Sequence, residues 1–71
     1  MYELAQKFIG KESLIYTFNS SQLTGVIKEV NEGGILLENR DNLEAVNFYF
    51  IVRIREYPKK KNGKKKSVVL D

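Results

Sequence analysis

The sequence predicts a mostly β fold, in which a short N-terminal helix precedes five short strands of a small, strongly bent antiparallel barrel. Three observations carry this. The chain has 71 residues, enough for one small domain. From residue 13 onward, short segments of alternating apolar character follow one another with tight polar turns between them. The second of these segments contains Gly25, and a glycine inside a strand marks a bulge or a sharp bend.

The elements follow in order. Tyr2 to Ile9 reads as a helix, with Leu4, Ala5, Phe8 and Ile9 on its apolar face at helical spacing. Gly10 ends it, because glycine tolerates the left-handed conformation found after a helix C-terminus. SLIYTF is the first strand, with Leu14, Tyr16 and Phe18 on one face and Ile15 and Thr17 on the other. Asn19-Ser20-Ser21 is turn chemistry. QLTGVIKEV is the second strand, NEGG a turn, GILLEN the third strand and NRDN another turn. LEAVNFYFIVRIREY is too long for one ordinary strand and divides or bends near Tyr49-Phe50. Val46, Phe48, Phe50, Val52 and Ile54 are expected on one side of it, with Arg53 and Arg55 on the other. Pro58 ends strand pairing, because it has no N–H to donate.

Composition limits the function classes. A chain this short buries only about 60% of its unfolded surface, so stability is marginal and oligomerisation is a common remedy. There is no cysteine and no histidine, which removes disulfides and the usual zinc and nucleophile chemistry. No P-loop or other phosphate-cradling glycine motif occurs, and the glutamates are scattered over turns and strand edges. The expectation is a non-catalytic protein without a cofactor. The opening MYELAQKFIGKE carries Glu3 and no long apolar run, unlike a signal peptide, and no stretch is long enough to span a membrane. A cytoplasmic protein with no membrane partner is expected.

Charge divides the chain. Residues 1–58 carry six basic and eight acidic side chains, and residues 59–71 carry six lysines and Asp71. The boundaries drawn from this are a barrel domain over 1–58 and a basic extension with an apolar end over 59–71. Three readings of the extension stay open. Asn62-Gly63 suits a tight hairpin turn that would add a C-terminal strand. That register sets Lys61 opposite Lys64 and Lys59 opposite Lys66, an unfavourable pairing. Alternatively only Ser67 to Leu70 docks, or the whole extension is a cationic arm. In each reading Lys59, Lys60, Lys61, Lys64, Lys65 and Lys66 attract phosphates in a salt-sensitive, sequence-independent way.

Residues 14–39, LIYTFNSSQLTGVIKEVNEGGILLEN, resemble without a gap the first motif of the Sm/LSm family, and its bacterial Hfq branch in particular. The features that carry the resemblance are Ile15-Tyr16, an Asn-containing turn, Leu23-x-Gly25, Ile27, Val30, Asn31 where the family has aspartate, and Ile35-Leu36-Leu37. AVNFYFIVRI resembles the shorter second motif. The resemblance covers about residues 4–57. It implies an SH3-like, Sm-type barrel, assembly into a ring through the fourth strand of one copy and the fifth of the next, and binding of single-stranded RNA. Tyr16 matches a tyrosine of a purine site, and Leu23 an apolar neighbour of that site. The site's turn glycine is Ser20 here, and its lysine is Gln22. Gly33 stands where Hfq has a stacking aromatic, and Asn47-Phe48-Tyr49 where it has Tyr-Lys-His along the pore.

The barrel candidates for RNA contact are therefore Tyr16, Leu23, Asn47, Tyr49 and Arg53. Asn47 offers hydrogen bonds to a base edge, Tyr49 a stacking surface and Arg53 a phosphate contact. The plainer expectations are a strand residue for Tyr16, core or subunit contact for Phe48 and Phe50, and a solvated face for Arg53 and Arg55, paired with Glu44 or Glu56. The alternative to RNA binding is a protein-interaction or scaffold barrel without RNA sites. Duplex DNA binding through the lysines alone is a third and weaker reading.

Overall fold

A computed structural model describes residues 1–58. It holds a short helix and five antiparallel strands in one sheet, as the alternation pattern predicts. The strands are β1 (Glu12–Thr17), β2 (Gln22–Val30), β3 (Gly34–Asn39), β4 (Asn42–Asn47) and β5 (Ile51–Glu56). They lie in the order β4-β3-β2-β1-β5. The sheet is bent but not closed, so β4 and β5 form its two edges among the described residues. The additional C-terminal strand and the hairpin at Asn62-Gly63 lie outside the described residues.

β2 makes the bend. Its first half pairs with β1 and its second half with β3, the changeover falling at Val26. Gly25 sits at that point. A Cβ there would lie 2.6 Å from the Glu38 carbonyl oxygen, so only glycine lets β3 come this close. A register shift between Ile27 and Glu29 adds further curvature. Ile15, Ile27, Ile35, Leu37, Val46 and Ile51 are buried on the concave side and form the core with Ala5. Alternation explains the selection: Ile35 and Leu37 are buried while Leu36 between them faces the other way.

The N-terminal helix is shorter than the spacing suggests. One α-helical turn, α1 (Tyr2–Ala5), tightens into a 3-10 turn over Gln6–Phe8. The side that packs is Ala5 and Phe8, three residues apart, while Leu4 and Ile9 are exposed. Leu4 thus does not hold the helix to the core as expected. The tighter 3-10 turn brings residues three apart into line, which places Phe8 under Ala5 rather than Leu4. Gly10 follows with φ of 85°, and its N–H donates to the Ile27 carbonyl at 2.7 Å.

The long segment does divide, through a 3-10 turn at Phe48–Phe50 between β4 and β5. This turn breaks the alternation expected there. Phe48 packs on the core, Phe50 is partly exposed, and Ile51 takes the buried position. A register shift against β1 then leaves Val52 on the surface at 61% exposure. Val52 was expected on the core side with Ile54; the turn and the bulge reset the phase of the strand.

Candidate nucleic-acid interface

The candidate residues fall in two separate places. The first is the convex face of β1 and β5. Tyr16 lies directly opposite Arg53 in the β1–β5 ladder, and the Arg53 guanidinium carbon stands 5.1 Å from the Tyr16 ring centroid. That distance is a cation–π contact, which holds a flexible arginine over a flat ring. The face continues at Phe18, whose N–H donates to the Phe50 carbonyl at 3.1 Å. The two phenyl rings meet edge to face, with centroids 4.8 Å apart. Phe18 remains 64% exposed despite this contact.

The β1–β2 turn fixes the end of this face. Thr17 is buried, and its hydroxyl donates to the Asn19 side-chain oxygen and accepts from the Ser21 N–H at 3.2 Å. Ser20 takes a left-handed φ of 70°. A serine there is strained relative to glycine.

Leu23 does not share this face. It pairs with Ile15 and packs half-buried against the core, so the structure separates it from Tyr16. A one-residue offset along β2 decides this, because Gln22 is the residue opposite Tyr16.

The second place is a groove of about 400 Å³ between the end of β2 and the β3–β4 hairpin. Asn31, Gly33, Leu36, Ala45 and Asn47 line it, with Glu29 at its side. Both asparagines use their side-chain oxygens on backbone. Asn31 accepts from the N–H groups of Gly33 at 2.8 Å and Gly34 at 3.2 Å. Asn47 caps the 3-10 turn by accepting from the Tyr49 N–H at 2.7 Å. Their amide groups are left to donate, which suits a carbonyl oxygen on a ligand. Gly34 allows the hairpin to close: a Cβ on it would run into the Val46 carbonyl oxygen. Tyr49 stands on the turn beside Asn47 and is 94% exposed, with its ring projecting from the surface.

Arg53, Asn47 and Tyr49 are thus not gathered into one site. Glu44 lies on β4 and Arg53 and Arg55 on β5, at opposite edges of the sheet, so the ion pair expected between them does not form across the ladder of one chain. Among the described residues, Glu56 pairs with Lys11 at 3.8 Å and Glu38 with Lys28 at 3.4 Å. Phe18 and Phe50 were not singled out from the sequence as site residues. The signal was present in the spacing of Tyr16 and Phe18, although Phe18 opens the turn after β1. The six lysines of the basic extension lie outside the described residues.

Among the described residues, no helix is long and apolar enough to cross a membrane, and no group of three or more acidic side chains is placed to hold a metal ion. The chain matches no protein-family model, no curated protein and no solved structure.

Proposed function

We propose that the protein is a non-catalytic single-stranded RNA-binding protein of the Sm-like, Hfq-like kind, and that copies assemble into a ring. The observation that carries this reading is the Arg53 guanidinium held 5.1 Å over Tyr16 on an open strand face. Single-strand binders combine cationic groups with flat side chains on which bases stack. Net charge of +3, concentrated in six lysines after Pro58, supplies the long-range attraction. The left-handed Ser20 and the close approach at Gly25 fit the backbone that the resemblance implies.

β4 and β5, the edges of the sheet among the described residues, support the ring. Unpaired edges invite strand addition. Pairing β4 with β4 would bring Glu44 near its own copy, and pairing β5 with β5 would do the same for Arg53 and Arg55. Mixed pairing sets strands of opposite charge together, and each edge also carries an apolar side chain that is 61% exposed, Leu43 on β4 and Val52 on β5. Such head-to-tail contacts close into rings when the rotation permits. Light scattering on the full chain should give a whole-number multiple of 8.2 kDa, and Glu44→Arg should lower it.

RNA binding is tested by fluorescence anisotropy with labelled oligo-A and oligo-U at near-physiological salt. The full chain should bind, and replacing all six lysines by glutamine should weaken binding and flatten its salt dependence without abolishing it. Loss of all binding in that variant would leave only a nonspecific arm. It would favour the second reading, a protein-interaction barrel, for which the exposed Phe18 and Leu43 are the supporting observation.

A further inference from the structure

We infer that the convex face of β1 and β5 is a linear track for an extended RNA strand, with Phe18 as a second base-stacking residue beside Tyr16. The inference rests on the RNA-binding reading and adds residues and a direction to it.

β1 ends at Thr17, and Phe18 opens the turn that follows, its N–H donating to the Phe50 carbonyl at 3.1 Å. Tyr16 is half-buried and Phe18 is 64% exposed, two residues apart along the chain, a separation of up to about 7 Å in extended backbone. Two flat surfaces at that interval can each take a base from a strand whose bases are splayed out. Sheet-based RNA binders stack two or three bases on exposed strand aromatics in this way.

Each of the two positions is braced by β5. Phe18 and Phe50 meet edge to face, with ring planes 82° apart. This leaves Phe18 mostly exposed. Tyr16 has Arg53 over it, and guanidinium planes are themselves surfaces on which bases stack. The next rung pairs Leu14 with Arg55, which is exposed. Leu14 is buried, so this rung offers a cation and no ring. β5 ends at Glu56, and in the sequence the six lysines follow Pro58.

The track therefore has a polarity. Apolar rings lie at the Phe18 end, stacked ring and cation in the middle, and cations toward the chain's basic extension. Glu12 lies beyond Leu14 on the same strand and is exposed, which sets the limit of favourable phosphate contact on β1. Two stacked bases with phosphates directed toward Arg53 and Arg55 fit the occupied length.

The test uses the full chain and a labelled oligo-A of about eight nucleotides near physiological salt. Phe18→Ala should weaken binding by roughly ten- to a hundredfold, the range for losing one stacked base. Phe18→Tyr should stay within about threefold of the parent, because it keeps a flat ring. Replacing one adenine by 2-aminopurine should give fluorescence quenching that Phe18→Ala reduces and Phe18→Tyr preserves. Photo-crosslinking of a 4-thiouridine oligomer to the unaltered protein gives an answer independent of any variant. Adducts on the peptide bearing Phe18 are expected. Adducts confined to the groove near Asn47, or to the lysines, would overturn the track. So would a Phe18→Ala protein that binds like the parent while Tyr16→Ala loses affinity, an outcome that leaves the RNA-binding reading standing. Failure of the parent chain to bind RNA at all would remove both.

Discussion

The convex face of β1 and β5 and the groove beside β3 and β4 share one sheet, and they spend their polar groups differently. On β1 and β5, the guanidinium of Arg53 stands over the ring of Tyr16, and among the described residues neither side chain caps a turn. In the groove, Asn31 and Asn47 hold backbone turns together through 2.7–3.2 Å hydrogen bonds. The first region leaves its polar groups out of the turn hydrogen bonds, while the second has committed half of its own to folding. A polar side chain near a cavity is therefore a weaker site candidate when its best acceptor already caps a turn.

Five substitutions break or sharpen that contrast. The largest effect is expected from Gly34→Ala. Its new Cβ would meet the Val46 carbonyl, forcing β3 from β4, and urea unfolding should show a loss of about 3 kcal/mol. Gly33→Ala next to it has only the Asn31 oxygen at 3.6 Å and should stay within about 0.5 kcal/mol. A large Gly33 effect would mean that the groove is more tightly specified than its contacts indicate. Next comes the pair Tyr16→Ala and Asn47→Ala, read by oligo-A anisotropy. Tyr16→Ala should cost about 1–3 kcal/mol of binding. Asn47→Ala should cost about 1 kcal/mol of stability through the lost cap and leave affinity nearly unchanged. The reverse result would move the RNA site to the groove.

The remaining effect is a gain. Ser20→Gly relieves a φ of 70° and should raise stability by about 0.5–1 kcal/mol, seen as a higher midpoint in thermal unfolding. RNA affinity should not fall, because the turn only frames the end of the β1 face. Lower affinity with a higher midpoint would show that the strained serine positions Phe18.

Much of the fold was legible before any coordinates. Period-two alternation placed all five strands, and Gly25 marked the bend, because both effects are local. The register after the β4–β5 turn was not legible. The 3-10 turn at Phe48–Phe50 and the bulge at Val52 each reset the alternation, and neither leaves a composition signal. The helix was overestimated because helical spacing also fits a 3-10 turn over four residues. Of the candidate site, Tyr16 and Arg53 do come together, since they lie on adjacent strands in register. Leu23 went elsewhere because the side that a strand residue faces depends on one residue of register. Phe18 was passed over because its exposure depends on Phe50, thirty-two positions further along the chain.

The strand order also sets how the molecule comes together in time. β1–β2, β2–β3 and β3–β4 are each neighbours in sequence, so three hairpins can zip from local encounters within microseconds. Only β5 must travel back across the intervening chain, to reach partners as distant as Ser13 from Glu56. Closing that large loop is the slow, entropically costly event, and the same strand is the first to peel away when the fold opens locally. Arg53 rides on β5. A bound strand that bridges Tyr16 and Arg53 would thus act as a clasp on the last element to arrive, and amide exchange on β5 would slow more than anywhere else in the sheet.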